Sequence, residues 1–286
     1  FWVDITADSE IGGEKPVEIP LPAAVRQRSF RVVAYQDGSG PATHNGAVPW
    51  QLDADGTLTV LVGSLEAGQS RRLAVYFGKP QGLVPFSRVT VEDEVMHQGQ
   101  ASLRIRSERA TYVFHKEGGG FASILDRDGN DWISYRPGNR GAGEFRGIPN
   151  LGECFNPGYT GAKGTRTKLE AAGPIKARFR VETIDGRWAA TWDIYSTYAR
   201  MRLDRAGGPY WFLYEGTPGG KLDVPEDFWV TSDGTRRSVA DAWGGDLPAP
   251  EWVYFADAKA PRALFLANHQ DDALPDQFWQ LTSDMT

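Results

Sequence analysis

The chain is predicted to be all-β, and three observations carry that prediction. Runs of β-branched and aromatic residues recur along its length, and five Asp-Gly dipeptides, at Asp37, Asp55, Asp128, Asp185 and Asp233, are spread among them. Only Pro225 to Asp227 and Arg237 to Trp243 have the composition of a helical turn. An Asp-Gly pair supplies the positive φ angles of a tight hairpin, so each one marks a place where an antiparallel sheet can turn back on itself. No repeat of fixed period is present, which disfavours a propeller or a solenoid.

Composition narrows the partners. A chain of 286 residues suits one large or two moderate domains, and 41% hydrophobic residues is ordinary for a globular protein. No apolar run approaches the length of a membrane span, so no membrane partner is expected. The net charge of −6 argues against nucleic acid, whose phosphates call for a basic footprint. Local basic clusters still leave room for an anionic sugar. Ten Trp, ten Tyr and fourteen Phe make the chain aromatic-rich. Aromatic faces fill β cores and also stack on sugar rings, and composition does not separate the two uses. The single cysteine, Cys154, excludes an intrachain disulfide and reads as a small loop or core residue. The chain opens on Phe1 rather than Met, the pattern of a processed chain, and the strand-like residues before Thr286 suggest that it continues further.

In chain order, residues 1–80 read as a small antiparallel β-sandwich. Val17 to Ile19 alternates, Phe30 to Tyr35 is a strand candidate, Leu58 to Val62 follows the Asp55-Gly56 turn, and Arg72 to Phe77 closes the unit. His44 lies in a polar turn and reads as a surface residue. Residues 81–89, rich in turn formers and preceded by Pro80, read as a linker, and residues 90–286 as a second, larger β domain. Arg88 to Glu92 and Ala101 to Arg106 are strands, with His97 in the loop between them. Thr111 to Phe114 is a strand, and Phe121 to Leu125 a second; Asp128-Gly129 turns the chain into a returning strand, Asp131 to Tyr135. Arg136 to Gly164 holds three prolines and eight glycines without periodicity, so it reads as one long binding loop. Ile175 to Ile184, Trp188 to Leu203, Tyr210 to Tyr214, Glu251 to Ala256 and Ala263 to Asn268 complete the strands. Aromatics on both faces of Tyr210 to Tyr214 predict a central, buried strand.

Two resemblances follow from these residues. PVEIPLPAA (Pro16 to Ala24), VPWQLD (Val48 to Asp53) and LEAGQSRRLAVYFG (Leu65 to Gly78) resemble the accessory, Ig-like β-sandwich found at the N-terminus of many secreted bacterial carbohydrate-active proteins. YVFHKEGGGFASILDRDGNDWISY is similar to the opening strands of the galactose-mutarotase-like supersandwich, and WDIYSTYARMRL followed by YWFLYEG is similar to its central strands. The resemblance implies a supersandwich over residues 90–286 and a polysaccharide or oligosaccharide as partner. It also implies a secreted or periplasmic location. The superfamily contains lyases, glycosidase domains and mutarotases, so the resemblance leaves the reaction open.

The candidate site residues come from segments where titratable groups gather. Alternation puts His115 and Lys116 on opposite faces of one strand, so only one of them can serve a given cleft, and Tyr112 shares the face of Lys116. His115 is expected to exchange protons or bind substrate. β-Elimination at a uronate needs a cation for the carboxylate, a base for the C5 proton and an acid for the leaving oxygen. Arg146 suits the first role, and His115, Tyr159 or Tyr198 the others. Hydrolysis of a neutral glycan would instead use a carboxylate pair, Glu144 with Glu215. His269, at the end of ALFLAN and beside Asp271 and Asp272, is a candidate binding residue, and Lys116 and Tyr112 are others. Polysaccharide cleavage, with β-elimination ahead of hydrolysis, is the expected function, and a non-catalytic glycan-binding protein is the alternative. No HxH, HExxH or CxxC spacing supports a transition-metal site. Asp126-x-Asp128-Gly129-Asn130-Asp131 has the start of a calcium loop without its glutamate, and a hairpin accounts for it. No cofactor is expected, with structural calcium left open.

Overall fold

The computed structural model describes residues 2–25, 30–35, 48–77, 87–133, 147–151, 154–155, 164–270 and 272–278. Among these residues the chain is all-β, with several antiparallel sheets, no α-helix and two short 3-10 turns, Ala23–Val25 and Pro218–Gly220. No helix is long and apolar enough to cross a membrane.

The first six strands are β1 (Trp2–Thr6), β2 (Lys15–Pro20), β3 (Phe30–Tyr35), β4 (Trp50–Leu52), β5 (Thr57–Val62) and β6 (Ser70–Phe77). They form two three-stranded sheets, ordered β1-β6-β3 and β2-β5-β4. Period two explains the core between them. Leu58, Val60 and Val62 of β5 and Leu73 and Val75 of β6 all point inward and meet Val32. The Asp55-Gly56 turn joins β4 to β5 as the sequence predicts. Gly56 takes φ 87°, and the Asp55 carboxylate accepts the Thr57 amide at 2.8 Å.

Two four-stranded meanders follow. β7 (Thr90–His97), β8 (Gln100–Arg106), β9 (Thr111–His115) and β10 (Gly120–Leu125) make one; β11 (Thr165–Ala172), β12 (Ala177–Thr183), β13 (Ala189–Ile194) and β14 (Ala199–Arg205) make the other. Their aromatic rings share one core. Phe114 of β9 meets Phe179 of β12 at 4.6 Å between ring centroids, and Phe121 of β10 meets Trp192 of β13 edge-on at 4.7 Å. The last sheet, ordered β16-β15-β18-β19, is built from β15 (Asp227–Thr231), β16 (Arg236–Ser238), β18 (Trp252–Asp257) and β19 (Ala263–Ala267). β17 (Trp243–Gly245) pairs separately with β20 (Asp276–Phe278). Trp229, Val253 and Phe255 form its core, closed by Trp243 stacked on Phe278. Tyr214 packs against both this core and the previous one.

Four sequence expectations change. Trp188 to Leu203 is two strands, because the chain reverses between Tyr195 and Tyr198, where the Tyr195 amide donates to the Tyr198 carbonyl at 2.8 Å. Asp131 to Tyr135 does not return as a strand over its described part. Asp131 makes a single bridge with Leu125, since its carboxylate turns back onto the Ile124 and Ile133 amides. Arg237 to Trp243 contributes to two short strands instead of a helical turn. Tyr210 to Tyr214 is not a strand, and its first three residues are exposed, for reasons that bear on the site.

Candidate functional site

The strand that carries the first candidates is buried on both faces. Tyr112 and Phe114 point into the aromatic core, and burial pushes the Tyr112 phenol up to about 12. Val113 and His115 point the other way and are buried too. His115 has 0% of its surface exposed and lies beside His97, with ring centroids 5.6 Å apart. Burial, reinforced by His97, pulls its imidazole down to about 3. Among the described residues the ring is thus held neutral near pH 7 and away from solvent. His97 is at the end of β7 rather than in a loop, half-buried, and burial lowers its pKa as well. The sequence gives no sign of this pairing, which depends on β7 and β9 being second neighbours in one sheet.

Lys116 leaves the strand in the opposite direction, as alternation requires, and is neutralised there. Its ammonium contacts Asp93 at 2.8 Å and Glu94 at 2.5 Å. Burial works against its charge, but the two carboxylates outweigh it and raise its pKa. The Asp126 carboxylate is saturated by its own turn, accepting from the Asp128 and Asn130 amides, the Asn130 side chain and the Trp132 indole. It is a hairpin clasp rather than a calcium ligand. Cys154 donates to the Leu151 carbonyl at 3.1 Å, and burial pushes its thiol up to about 12, as suits a structural loop residue.

The remaining candidates scatter. Tyr198 sits at the β13–β14 turn, stacked on Tyr195 at 4.7 Å, and burial raises its pKa. His269 is exposed just beyond β19, on the last sheet. Glu144, Arg146 and Tyr159 lie outside the described residues, as does Asp271. The described candidates are therefore spread over three sheets.

Glu215 is the exception that leads to a surface. The Phe121 amide of β10 donates to the Ile148 carbonyl at 2.8 Å, so residues 147–149 lie along the open edge of that sheet. The Leu213 amide in turn donates to Pro149, and the Glu215 amide to Gly147 at 3.4 Å. Two irregular segments thus extend the β9–β10 ladder outward by two rows. Gly147 takes φ 80°, and Gly216 lies so close to the Trp132 carbonyl that a Cβ there would be 2.1 Å away. Only a glycine admits that approach, and it lets Tyr214 anchor the row by donating to the Trp132 carbonyl at 2.7 Å.

Upstream of that anchor the row leaves the protein. Tyr210, Trp211 and Phe212 are 53%, 56% and 46% exposed, with Tyr210 edge-on to Trp188 at 6.3 Å. Gly207, Gly208 and Pro209 precede them, and none of the three aromatic residues has a backbone partner among the described residues. That is why a β-forming sequence is neither strand nor core here. It is the terminal row of a sheet edge, and among the described residues no further strand pairs with it. A second aromatic surface, on the outer face of the last sheet, differs in kind. There Trp252 packs on Phe265 at 5.3 Å and the Arg236 guanidinium sits 3.8 Å from the Phe228 ring, so one ring, Phe265 at 55%, stays exposed rather than three in a row.

No family model matches the chain, and no curated protein or solved structure matches it, so its function is argued from its own residues.

Proposed function

We propose that the chain is a glycan-binding protein of the carbohydrate-active kind, and that Tyr210, Trp211 and Phe212 form its stacking platform. The observation that carries the reading is their exposure as three consecutive large aromatics on a sheet edge, whereas the other described large rings mostly pack in cores. Such side chains expose apolar surface at a cost, and a sugar ring offers C–H faces that cover it while its hydroxyls stay wet. The acidic net charge keeps nucleic acid out of consideration as the stacking partner. The accessory sandwich over 1–80, the linker over 81–89, the supersandwich arrangement over 90–286 and a secreted or periplasmic location belong to the same proposal. Resemblance supports them.

One observation favours cleavage as a second reading. Glu215 is hydrogen-bonded through its backbone to Gly147, immediately beside the segment that carries Glu144 and Arg146. In that reading Glu215 and Glu144 serve hydrolysis, or Arg146 neutralises a uronate carboxylate during elimination.

The test is affinity electrophoresis and calorimetry against acidic and neutral polysaccharides, with and without Trp211→Ala. Binding to at least one glycan and a loss of about tenfold or more in the variant are expected, the usual effect of removing a central aromatic anchor. No binding across the panel, or a variant that binds like the parent, would sink the proposal. Ultraviolet absorbance of unsaturated uronate and newly formed reducing ends, followed in the same mixtures, report elimination and hydrolysis respectively.

A further inference from the structure

The last sheet contains a pairing that strands ordinarily avoid. β15 begins at Asp227 and β18 ends at Asp257, and the antiparallel register sets these two residues directly opposite each other. Opposed residues project from the same face with Cβ atoms about 5 Å apart, and like charges in that position destabilise a sheet. Asp223 and Glu226 lie in the turn just before β15, so four carboxylates gather at one end of the sheet.

Their counter-charge is unevenly shared. Among the described residues the one cation in ion-pair range, Lys259, contacts Asp223 at 2.7 Å and Glu226 at 3.5 Å. Neither Asp227 nor Asp257 enters an ion pair among the described residues. Asp227 is also 1% exposed, with one oxygen, Oδ2, accepting the Asp223 amide at 2.7 Å and the other, Oδ1, buried without any hydrogen-bond partner. An ionised, half-coordinated carboxylate at that depth is strongly unfavourable unless something positive meets it. Burial first, and then the charges of Asp257 and Asp223, hold its pKa up at about 6.

Asp257 has a comparable division of labour. Its Oδ1 accepts the Lys259 amide at 2.7 Å, while Oδ2 faces Gly219, where a Cβ would stand only 2.7 Å from it. Gly219 has φ 64° within the Pro218–Gly220 turn, so both backbone conformation and space call for glycine beside that oxygen. Two carboxylates on one face therefore each keep an oxygen outside the local hydrogen bonding, and the Pro218–Gly220 turn lies against Asp257.

We propose that Asp227 and Asp257 are ligands of a divalent cation of the calcium class. All the donors are hard oxygens, with no thiolate or imidazole, which selects calcium or magnesium over transition metals. Two carboxylates from rigid strands leave most of the coordination shell to carbonyls and water, an irregular set that calcium accepts more readily than magnesium. The site is separate from the glycan platform. Its ion would brace the Pro218–Gly220 turn that follows the aromatic segment.

A tighter acidic group, where the β17–β20 pair meets the start of β18, supplies the control. Oxygens of Asp246, Glu251 and Asp276 all lie within 4.8 Å of one another. Glu251, however, is engaged through both oxygens, by the Asn268 amide group and the Asp272 backbone amide, and Asp276 accepts the Leu247 amide. No orphaned oxygen is buried among them, and they read as a loop clasp.

The experiment is thermal unfolding of the whole chain at pH 7.5, first stripped with chelator and then titrated with calcium chloride, with terbium luminescence as a second probe of binding. Calcium is expected to raise Tm by about 5 °C at saturating concentration. Asp227→Asn and Asp257→Asn should each abolish the shift, and Asp246→Asn with Asp276→Asn should retain it. Because an amide removes the buried charge, Asp227→Asn should melt in chelator at or above the parent temperature, which shows that it folds. A parent chain indifferent to calcium, or a shift that survives Asp227→Asn, would overturn the assignment. A shift lost only in the Asp246/Asp276 variant would move the ion to that group and overturn it equally.

Discussion

Two regions of this molecule bury carboxylates, and they handle the charge in opposite ways. Where the β2-β5-β4 sheet meets β12, β13 and β14, anions and cations are matched. Lys176, 0% exposed, contacts Asp53 at 2.9 Å and pairs with Glu18. Arg178 grips Asp193 with two nitrogens, at 2.6 and 3.1 Å, and reaches Glu18 at 3.1 Å; Arg200 adds 2.7 Å to Asp193 and 2.9 Å to Glu18. Gln51 completes the contact, accepting the Ile175 and Lys176 amides and donating to the Lys176 carbonyl and Asp53. At the end of the last sheet, Asp227 and Asp257 face each other without such partners. A matched network holds two sheets in one relative position, because each charge is stable only where its partners are. An unmatched pair does the reverse: it withholds stability until a proton or a cation arrives.

The contrast can be broken at its strongest point. Lys176→Met removes the central cation and leaves Glu18 and Asp53 short of counter-charge, so denaturant unfolding should show a loss of about 3–5 kcal/mol. A loss under about 1 kcal/mol would mean that the network contributes little beyond what water would supply.

The unmatched pair should respond with the opposite sign. The ordinary carboxyl value for Asp227 is 3.8 and the folded chain holds it at about 6. Ionising it therefore opposes folding by an amount that is absent below pH 3.8 and complete above about pH 6, about 3 kcal/mol at most. In chelator, Asp227→Asn should be more stable than the parent at pH 7.5, and the gain should vanish by pH 3.5. An equal gain at both pH values would trace it to packing instead.

Glu18 sharpens the comparison because its shift runs downward. Burial raises its pKa, but Lys176 and Arg200 outweigh burial and hold it at about 2, against an ordinary 4.5. Its contribution is fully present above pH 4.5 and is lost as pH falls through about 2; discounted for partial exposure, it is roughly 2 kcal/mol. Glu18→Gln should flatten the acid limb of the stability curve between pH 4.5 and 2. The smallest effect belongs to a residue outside both regions: Trp211→Ala should change stability by less than about 0.5 kcal/mol, since its ring is mostly in solvent. Its loss of glycan affinity is then separable from any loss of fold.

Local chemistry made much of the fold legible. All four described Asp-Gly pairs are turns with glycine in the left-handed region, because that dipeptide meets a requirement within two residues. The alternation of Leu58, Val60 and Val62 found one face of one sheet for the same reason. The candidate site was far less legible. His115 looks like an acid-base group in one dimension, and its burial beside His97 comes from strand order. Tyr210 to Phe212 have the composition of a buried central strand, yet they lie on the outermost row of an edge.

By itself, then, the sequence determined the all-β class, the turns and the in-out alternation of individual strands, which follow from backbone sterics and a two-residue period. Tertiary structure alone decided which charges are matched. Glu18 and Arg178 stand 160 residues apart, and Asp227 and Asp257 meet through antiparallel register. Charge pairing and solvent exposure depend on what lies across the gap, and the identity of that neighbour is set by packing over the whole chain.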